Sequence, residues 1–314
     1  MYLLITHNDL DGVGCGVVAK TMLDEPLDII YSSIDDVDDN IINAIGKIDL
    51  YKKILITDLS PRKEETIDLM QLHTRKIKLL DHHKTALDLN AHSFANVQIY
   101  IDDHMTCGTE LLYLYLSDLI LNKYKDNPMM VVNYSERRLR FFVELIRKYD
   151  TWEWKTETLE PDKSFSKMLN DLLGLITKDE FTESMYDSIL NDRTFFPKRY
   201  LNLLEQEEVV RNKYLDNKLK NVTIREWEGY TVGFIIAEKY ISELGSLICN
   251  KLDVDIAVMI TENSVSLRSI DVDVSTIAKE RGGGGHYCAS GFPINKNKLF
   301  KYLFTKGEWW YENW

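Results

Sequence analysis

Three places in the chain set histidine and aspartate side by side in a way that suggests chemistry. HNDLD carries His7, Asp9 and Asp11; KILITD ends on Asp58; and LLDHHKT carries Asp81, His82 and His83. Alternate residues of an extended segment point the same way, so the H-x-D-x-D spacing lets His7, Asp9 and Asp11 face one pocket. Imidazole with carboxylate suits manganese, zinc or iron, whereas carboxylate with water suits magnesium, so the mixture points to manganese first. Each residue alone has a plainer reading. An Asp after a strand is most often a turn former or helix N-cap, and a lone buried His most often a hydrogen-bonded core residue. Gathered together, these groups would put several negative charges in one pocket, which only cations offset. Two cations sharing a bridging carboxylate, roughly 3.5–4 Å apart, serve phosphoryl displacement and generate hydroxide near neutral pH.

The elements that must position these groups are short apolar runs. YLLIT (2–6), LDIIYSS, KILITD (53–58) and KIKLLD (76–81) alternate with the helical patterns GVGCGVVAKTML and NIINAIGKI and with a helix after Pro61. Such alternation predicts an α/β fold with a parallel sheet, helices on both faces and ligands gathered outside the carboxyl ends of the strands. CGTELLYLYLSDLIL and SERRLRFFVELIRKYD read as further helices, the second capped by Ser135. Residues 197–220 are charged and helix-prone, without strand alternation. Beyond them VTIREWEGYTVGFIIA, ISELGSLICNKL, DIAVMITENSVSLRSI and a glycine cluster predict a smaller α/β domain with a mixed sheet, turning at Glu228-Gly229 and Glu262-Asn263. The expected organisation is a catalytic metal-binding domain at 1–196, a connecting helix at 197–220 and a substrate-binding domain at 221–314, with the active-site cleft between the domains.

The second chemical signal is GGGGH, Gly282 to His286. Consecutive glycines allow backbone N–H groups to turn inward around an anion and let a phosphate approach closely. A helix C-cap would account for one or two of them. Four followed by a histidine, with Arg268 on the preceding SVSLRS, point to a phosphate or nucleobase site built from Arg268, Gly283, Gly284, Gly285 and His286. GVGCG, Gly12 to Gly16, has GxGxG rather than GxGxxG spacing and reads as helix packing against the metal pocket. IDDVDDN (34–40) lacks the glycine and final glutamate of an EF-hand and reads as a solvated turn and helix start. Trp152, Trp154, Trp309 and Trp310 could stack on bases, but filling core or interdomain contacts is the preferred reading. Asp102, Asp103 and His104 receive no role.

Composition limits the partners. With 314 residues, 45% hydrophobic and 28% charged, the chain is a globular protein long enough for about two domains. Its four cysteines form no CxxC pair, so no disulfides and a reducing compartment are expected. No apolar run has membrane-spanning length and the start carries no basic leader, so a cytoplasmic protein without membrane contact is expected. A net charge of −12 argues against clamping long double-stranded nucleic acid, which needs many Lys or Arg contacts to phosphates, and leaves short substrates. The basic clusters at Arg137, Arg138 and Arg140, and at Lys213, Lys218 and Lys220, read as solvated helix faces. Nothing in the pattern sets the oligomeric state.

In this order, His7-x-Asp9-x-Asp11 with Gly12, a lone Asp58, Asp81-His82-His83 and a C-terminal GGGH resemble the DHH phosphoesterase family with its associated C-terminal domain, over nearly the whole chain. That family includes RecJ-type exonucleases, nano-RNases, cyclic-dinucleotide phosphodiesterases, 3′-phosphoadenosine-5′-phosphate phosphatases and manganese inorganic pyrophosphatases, and the short opening spacing is more similar to the nano-RNase B branch. The resemblance implies that His7 and Asp9 hold one cation, Asp11 and His82 a second, and that Asp58 bridges them. It places His83 against the reacting phosphate, makes Asp150 in KYDTW the last acid, and gives Asp81 the role of orienting the histidines. Arg268, Gly283 to Gly285 and His286 would bind the substrate's phosphate or terminal nucleotide. Two divalent cations, manganese or else magnesium, and hydrolysis of short RNA to 5′-mononucleotides follow from it. Cyclic or linear dinucleotides and 3′-phosphoadenosine-5′-phosphate are the alternative substrates. A degenerate relative that merely binds nucleotides should have lost ligands, and here the ligand positions are filled. The tail GEWWYENW has no place in the family pattern.

Overall fold

The structure, a computed structural model, describes residues 1–124, 133–157, 163–227 and 229–294. The chain divides into two compact units, Met1–Leu204 and Glu205–Trp314. In the first, strands β1 (Tyr2–His7), β2 (Leu27–Ser32), β3 (Lys53–Thr57), β4 (Ile77–Asp81) and β5 (Ala95–Val97) form a parallel sheet in the order β2-β1-β3-β4-β5. Helices α1 (Leu10–Met22), α2 (Val37–Ile45) and α3 (Glu64–Gln71) cross between strands, and a small hairpin, β6 (Tyr100–Ile101) with β7 (His104–Met105), follows the sheet. The period-two alternation of the strands sorts the core. Leu4, Leu55 and Leu80 face α1 and the later helices, while Leu3, Ile5, Ile54, Ile56, Ile77 and Leu79 face α2 and α3. Both faces are covered, as a parallel sheet requires.

Helices α4 (Gly108–Lys123), α5 (Glu136–Asp150), α6 (Trp154–Glu157), α7 (Phe165–Leu175) and α8 (Lys178–Leu190) complete this unit, and α9 (Lys198–Leu219) carries the chain across the division at Leu204 and Glu205. Ser135 caps α5 by accepting from the Arg138 N–H. The sequence pattern between Asp150 and Pro197 specified no element, although Thr177, which caps α8 by accepting from the Glu180 N–H, is half of a T-x-x-E capping box. IDDVDDN starts α2 as expected, with Asp36 at the N-cap position, but it is not solvated throughout: Asp38 is buried and accepts from the backbone N–H of Arg62 and Lys63 ahead of α3.

The second unit is a mixed sheet in the order β12-β13-β11-β10-β9-β8. Its elements are β8 (Thr223–Trp227), β9 (Tyr230–Ile236), α10 (Ile241–Leu252), β10 (Ile256–Ile260), β11 (Ser264–Ser269), α11 (Val274–Glu280), β12 (Gly284–His286) and β13 (Ala289–Pro293). Only β9 and β10 run parallel among the paired strands described. One face packs α11 through Val258, Leu267 and Ala278, and the other packs α10 through Ile248 and Met259. The β10–β11 turn contains Glu262 and Asn263 as expected. Glu228 of the other expected turn, and the tail with Trp309 and Trp310, lie outside the described residues.

Candidate metal centre

The order β2-β1-β3 places the topological switch point between β1 and β3, where α/β sheets form a crevice outside the strand carboxyl ends. The polar residues gather there. His7 ends β1, Asp58 follows β3 and Asp81 ends β4, with His82 and His83 next. Asp58 keeps the sheet ladder through its N–H to the Leu80 carbonyl at 3.0 Å, then turns out of it with φ of 58°, a left-handed conformation that aims its carboxylate back across the strand ends.

Three donor groups result. One, Asp58 with Asp81, His82 and His83, surrounds the turn after β4; of the other two, Asp58 belongs to one and touches the other. His7, Asp9 and Asp58 form the first, with Nδ1 of His7 2.8 Å from Asp9 and 3.8 Å from Oδ2 of Asp58. Asp11, His82 and Asp150 form the second; Nε2 of His82 lies 3.7 Å from Asp11 and 3.2 Å from Oδ1 of Asp58, and its Nδ1 lies 3.6 Å from Asp150. Thus one oxygen of Asp58 looks toward each of these two groups. Asp58 is 2% exposed, yet its Oδ2 has no hydrogen-bond partner among the described residues. A buried, unpartnered carboxylate oxygen beside other acids is costly, and a cation held among nitrogen and oxygen donors removes that cost. The residues present therefore fit divalent cations, with the mixed donor set that suits manganese.

The electrostatics follow from burial and crowding. Burial, then the charges of Asp11 and Asp9, pushes the Asp58 carboxyl well above the ordinary carboxylate range. Burial and the same two neighbours raise Asp150, the last residue of α5, to about 8. The hydrogen bond to Asp9 raises the His7 imidazole; burial works against the Asp9 charge, but that same bond holds its carboxyl below the usual value. Burial lowers His82.

Asp81 is 1% exposed and serves the turn that carries the histidines. Its Oδ1 accepts from the His82 N–H at 2.7 Å, the His83 N–H at 3.1 Å and Nδ1 of His83 at 2.7 Å, and its Oδ2 accepts from the Ser60 hydroxyl. The bond between Nδ1 of His83 and Asp81 raises the His83 imidazole and, against the effect of burial, keeps Asp81 ionised. With Nδ1 engaged, Nε2 is the ring atom that His83 has left for a ligand.

Asp9 and Asp11 are structural as well. Asp9 caps α1 by accepting from the Gly12 N–H. Asp11, buried, accepts from the N–H of Gly108 at 2.6 Å and of Thr109 at 2.8 Å, capping α4, whose own N-cap Cys107 supplies no side-chain bond. The N-terminus of α4 and the Asp11 side chain are thereby tied together. Sequence reasoning missed Gly108: a Cβ there would stand 2.7 Å from Cβ of Asp58 and 2.9 Å from Oδ2 of Asp11, so only glycine lets α4 approach the pocket. The signal was the glycine in CGTE at the start of an apolar helical pattern. His104 turns to Glu110, at 3.1 Å, rather than to the donor groups. A cavity of about 580 Å³ opens beside the first group, lined by Asn8, Asp9, Asn170, Ile176, Thr177 and Lys178 among others.

In the second unit, Arg268 pairs across the sheet with Ala289, which pairs with His286, so the three share one row and one face. The Arg268 guanidinium donates to the Leu267 carbonyl at 2.8 Å and the Ser242 hydroxyl at 2.9 Å, and burial lowers its pKa against the charge of Glu243. The glycine run does two jobs. The N–H groups of Gly282 and Gly283 close α11 on the carbonyls of Lys279 and Ala278, and Gly283 and Gly285 make room for the Gly291 and Ala289 carbonyls of β13. Gly284 has open space around it.

Comparison with known proteins adds four findings. The family model of the DHHA1 domain matches residues 222–305. Oligoribonuclease NrnB of Bacillus subtilis is 38% identical over 306 residues, covering 94% of this chain and 73% of that protein. Among solved structures, the pGpG-specific phosphodiesterase PggH of Vibrio cholerae matches over 98% of both chains at 14% identity, with a TM-score of 0.51. Exonuclease RecJ bound to manganese matches over 100% of this chain and 90% of that one at 12% identity, with a TM-score of 0.59. At such identities these two structures share the fold.

Proposed function

The chain belongs to the DHH phosphoesterase family and is a hydrolase acting on phosphodiester bonds, and from that premise we propose that it is a two-metal phosphodiesterase releasing 5′-mononucleotides from very short RNA. The observation that carries the metal count is Asp58: buried, unpartnered at Oδ2, and directed at two donor groups at once. In this reading His7 and Asp9 hold one cation, Asp11, His82 and Asp150 the other, and Asp58 both, with manganese preferred and magnesium the alternative. The cations would supply charge neutralisation at the phosphate and acidify a water. The residues do the rest. Asp81 fixes the imidazole of His83, which presents Nε2 to a phosphate oxygen, and the cap that Asp11 makes on α4 keeps its carboxylate in place.

Short RNA is favoured by the name of the Bacillus subtilis relative, by the acidity of the chain and by a cavity beside Asp9 of the size that holds one small ligand. Arg268, His286 and Gly283 to Gly285 are proposed to bind the substrate's phosphate or terminal nucleotide. Among the described residues no helix is long and apolar enough to cross a membrane, which agrees with the proposed cytoplasmic site of action. Linear or cyclic dinucleotides form the second reading, favoured by the fold shared with the pGpG-specific enzyme. The test is a product-resolved time course of manganese-loaded protein on RNAs of two to about two dozen nucleotides, on cyclic dinucleotides and on 3′-phosphoadenosine-5′-phosphate. Fast mononucleotide release from the shortest RNAs with slow attack on longer ones is expected. Cleavage of only the cyclic or bisphosphate compounds would move the function to signal or metabolite turnover.

A further inference from the structure

We propose that Trp152 is a stacking platform for a nucleobase of the substrate, held beside the metal centre by a strained turn. This rests on the reading of the protein as a nuclease of short RNA. The first observation is conformational: Trp152 has φ of 66°, in the left-handed region that a bulky aromatic residue avoids. The second is exposure: its side chain belongs to a residue 48% accessible to solvent, whereas Trp154, two residues on, is 7% exposed and packs parallel to Tyr149 with ring centroids 5.7 Å apart. The third is place: Trp152 lies two residues after Asp150, whose carboxylate is 3.6 Å from His82.

A strained residue persists where its neighbours over-determine it. Here the Thr151 N–H and hydroxyl both donate to the Arg147 carbonyl at 2.9 Å, the Trp152 N–H donates to the Tyr149 carbonyl at 3.2 Å, and the Lys155 N–H closes back on Trp152. Arg147, itself buried, clamps the far side of the turn through both nitrogens to Glu153. The indole is also braced, with the Lys155 ammonium 4.1 Å from its ring centroid and the Trp154 ring 6.5 Å away. A turn whose only task was to end α5 would carry glycine or asparagine at this position. An amphipathic ring held rigid, exposed and two residues from Asp150 is suited to stack on a base, with little sequence preference because every base has a π-face.

The experiment uses the full manganese-loaded chain and an RNA dinucleotide, intact or with one or the other base removed. Wild-type enzyme is expected to show a KM at least about tenfold lower for the intact dinucleotide than for one of the two abasic forms, with kcat similar. Trp152→Gly should raise KM for the intact dinucleotide to that abasic value, leave the abasic KM unchanged, and melt at least about 2 °C higher because the strain is gone. Trp152→Asn, which also tolerates the left-handed conformation, should behave alike, and Trp152→Phe should keep most of the affinity. If both variants melt lower, or weaken intact and abasic substrates equally, Trp152 is structural and the inference fails. Equal KM for intact and both abasic substrates in the wild type overturns it while leaving the phosphodiesterase reading in place. Inertness of the wild type on every form overturns that reading and the platform with it.

Discussion

Replacing Asp58 by asparagine separates what the fold wants from what the chemistry needs. In the absence of cations, the wild-type protein holds a carboxyl that is 2% exposed, flanked by the charges of Asp11 and Asp9 and unpartnered at one oxygen. An amide of the same shape removes the cost of holding a proton on that carboxyl above its ordinary range, and removing such an uncompensated group is worth about 1–3 kcal/mol. For a unit of this size, each kcal/mol moves Tm by about 2–4 °C, so Asp58→Asn in chelator should melt several degrees above the wild type. With manganese at a hundred times its Kd, a single site would stabilise the wild type by about 2.7 kcal/mol, and the variant, lacking the shared ligand, by much less. The order of stability should therefore invert on adding manganese. Turnover should drop by about a thousandfold, corresponding to ~4 kcal/mol of lost transition-state stabilisation. Differential scanning fluorimetry with and without manganese, beside a dinucleotide hydrolysis assay, reads all three. A variant that melts at or below the wild type in chelator, or gains as much from manganese, refutes the argument that Asp58 is a strained, shared ligand.

Other outcomes follow from the same geometry. Asp150, raised to about 8, and Asp58, raised well above its ordinary value, hold protons in the folded state that the unfolded chain has released. Metal-free protein should thus lose stability as pH rises from about 4 to about 8, with His82 opposing the slope below the ordinary histidine value and His7 and His83 adding to it above; manganese competes for the same oxygens, and thermal melts at saturating manganese should lose this slope. Gly108→Ala puts a methyl group 2.7 Å from Asp58 and 2.9 Å from Asp11, so it should lower stability by about 1–3 kcal/mol and weaken manganese binding measured by titration calorimetry. Asp81→Asn leaves an oxygen to accept from His83 but removes the charge that raises it; the His83 titration followed by NMR should move down toward the ordinary histidine value, with kcat falling about tenfold or more.

Much of this could be read from residues alone because it is local. The apolar runs YLLIT, KILITD and KIKLLD sit where the parallel strands form, and their alternation sorts Leu4 from Leu3 and Ile5 onto opposite faces. Since parallel strands end on the same edge, the residues after them had to meet, and His7, Asp58 and His82 do. What escaped was set at a distance. Asp11 receives N–H groups from Gly108 and Thr109, and neither position advertises that link in its own neighbourhood. Asp38 looked like a solvated turn because its partners lie ahead of the next helix. The glycine run was legible as special but not in its division between helix closure and strand packing. Trp152 carries no local sign of a left-handed backbone, since nothing in its residue type favours one.

The span of Asp11 and Gly108 also bears on how the protein is made. Closing a loop of this length, 97 residues from Asp11 to Gly108, is opposed by roughly 4 kcal/mol of chain entropy. The last acid of the second donor group arrives later still, at Asp150. A nascent chain cannot assemble that group until the sheet, α4 and α5 have all left the ribosome, so manganese here would act as a late lock on a finished domain rather than as a seed for its folding.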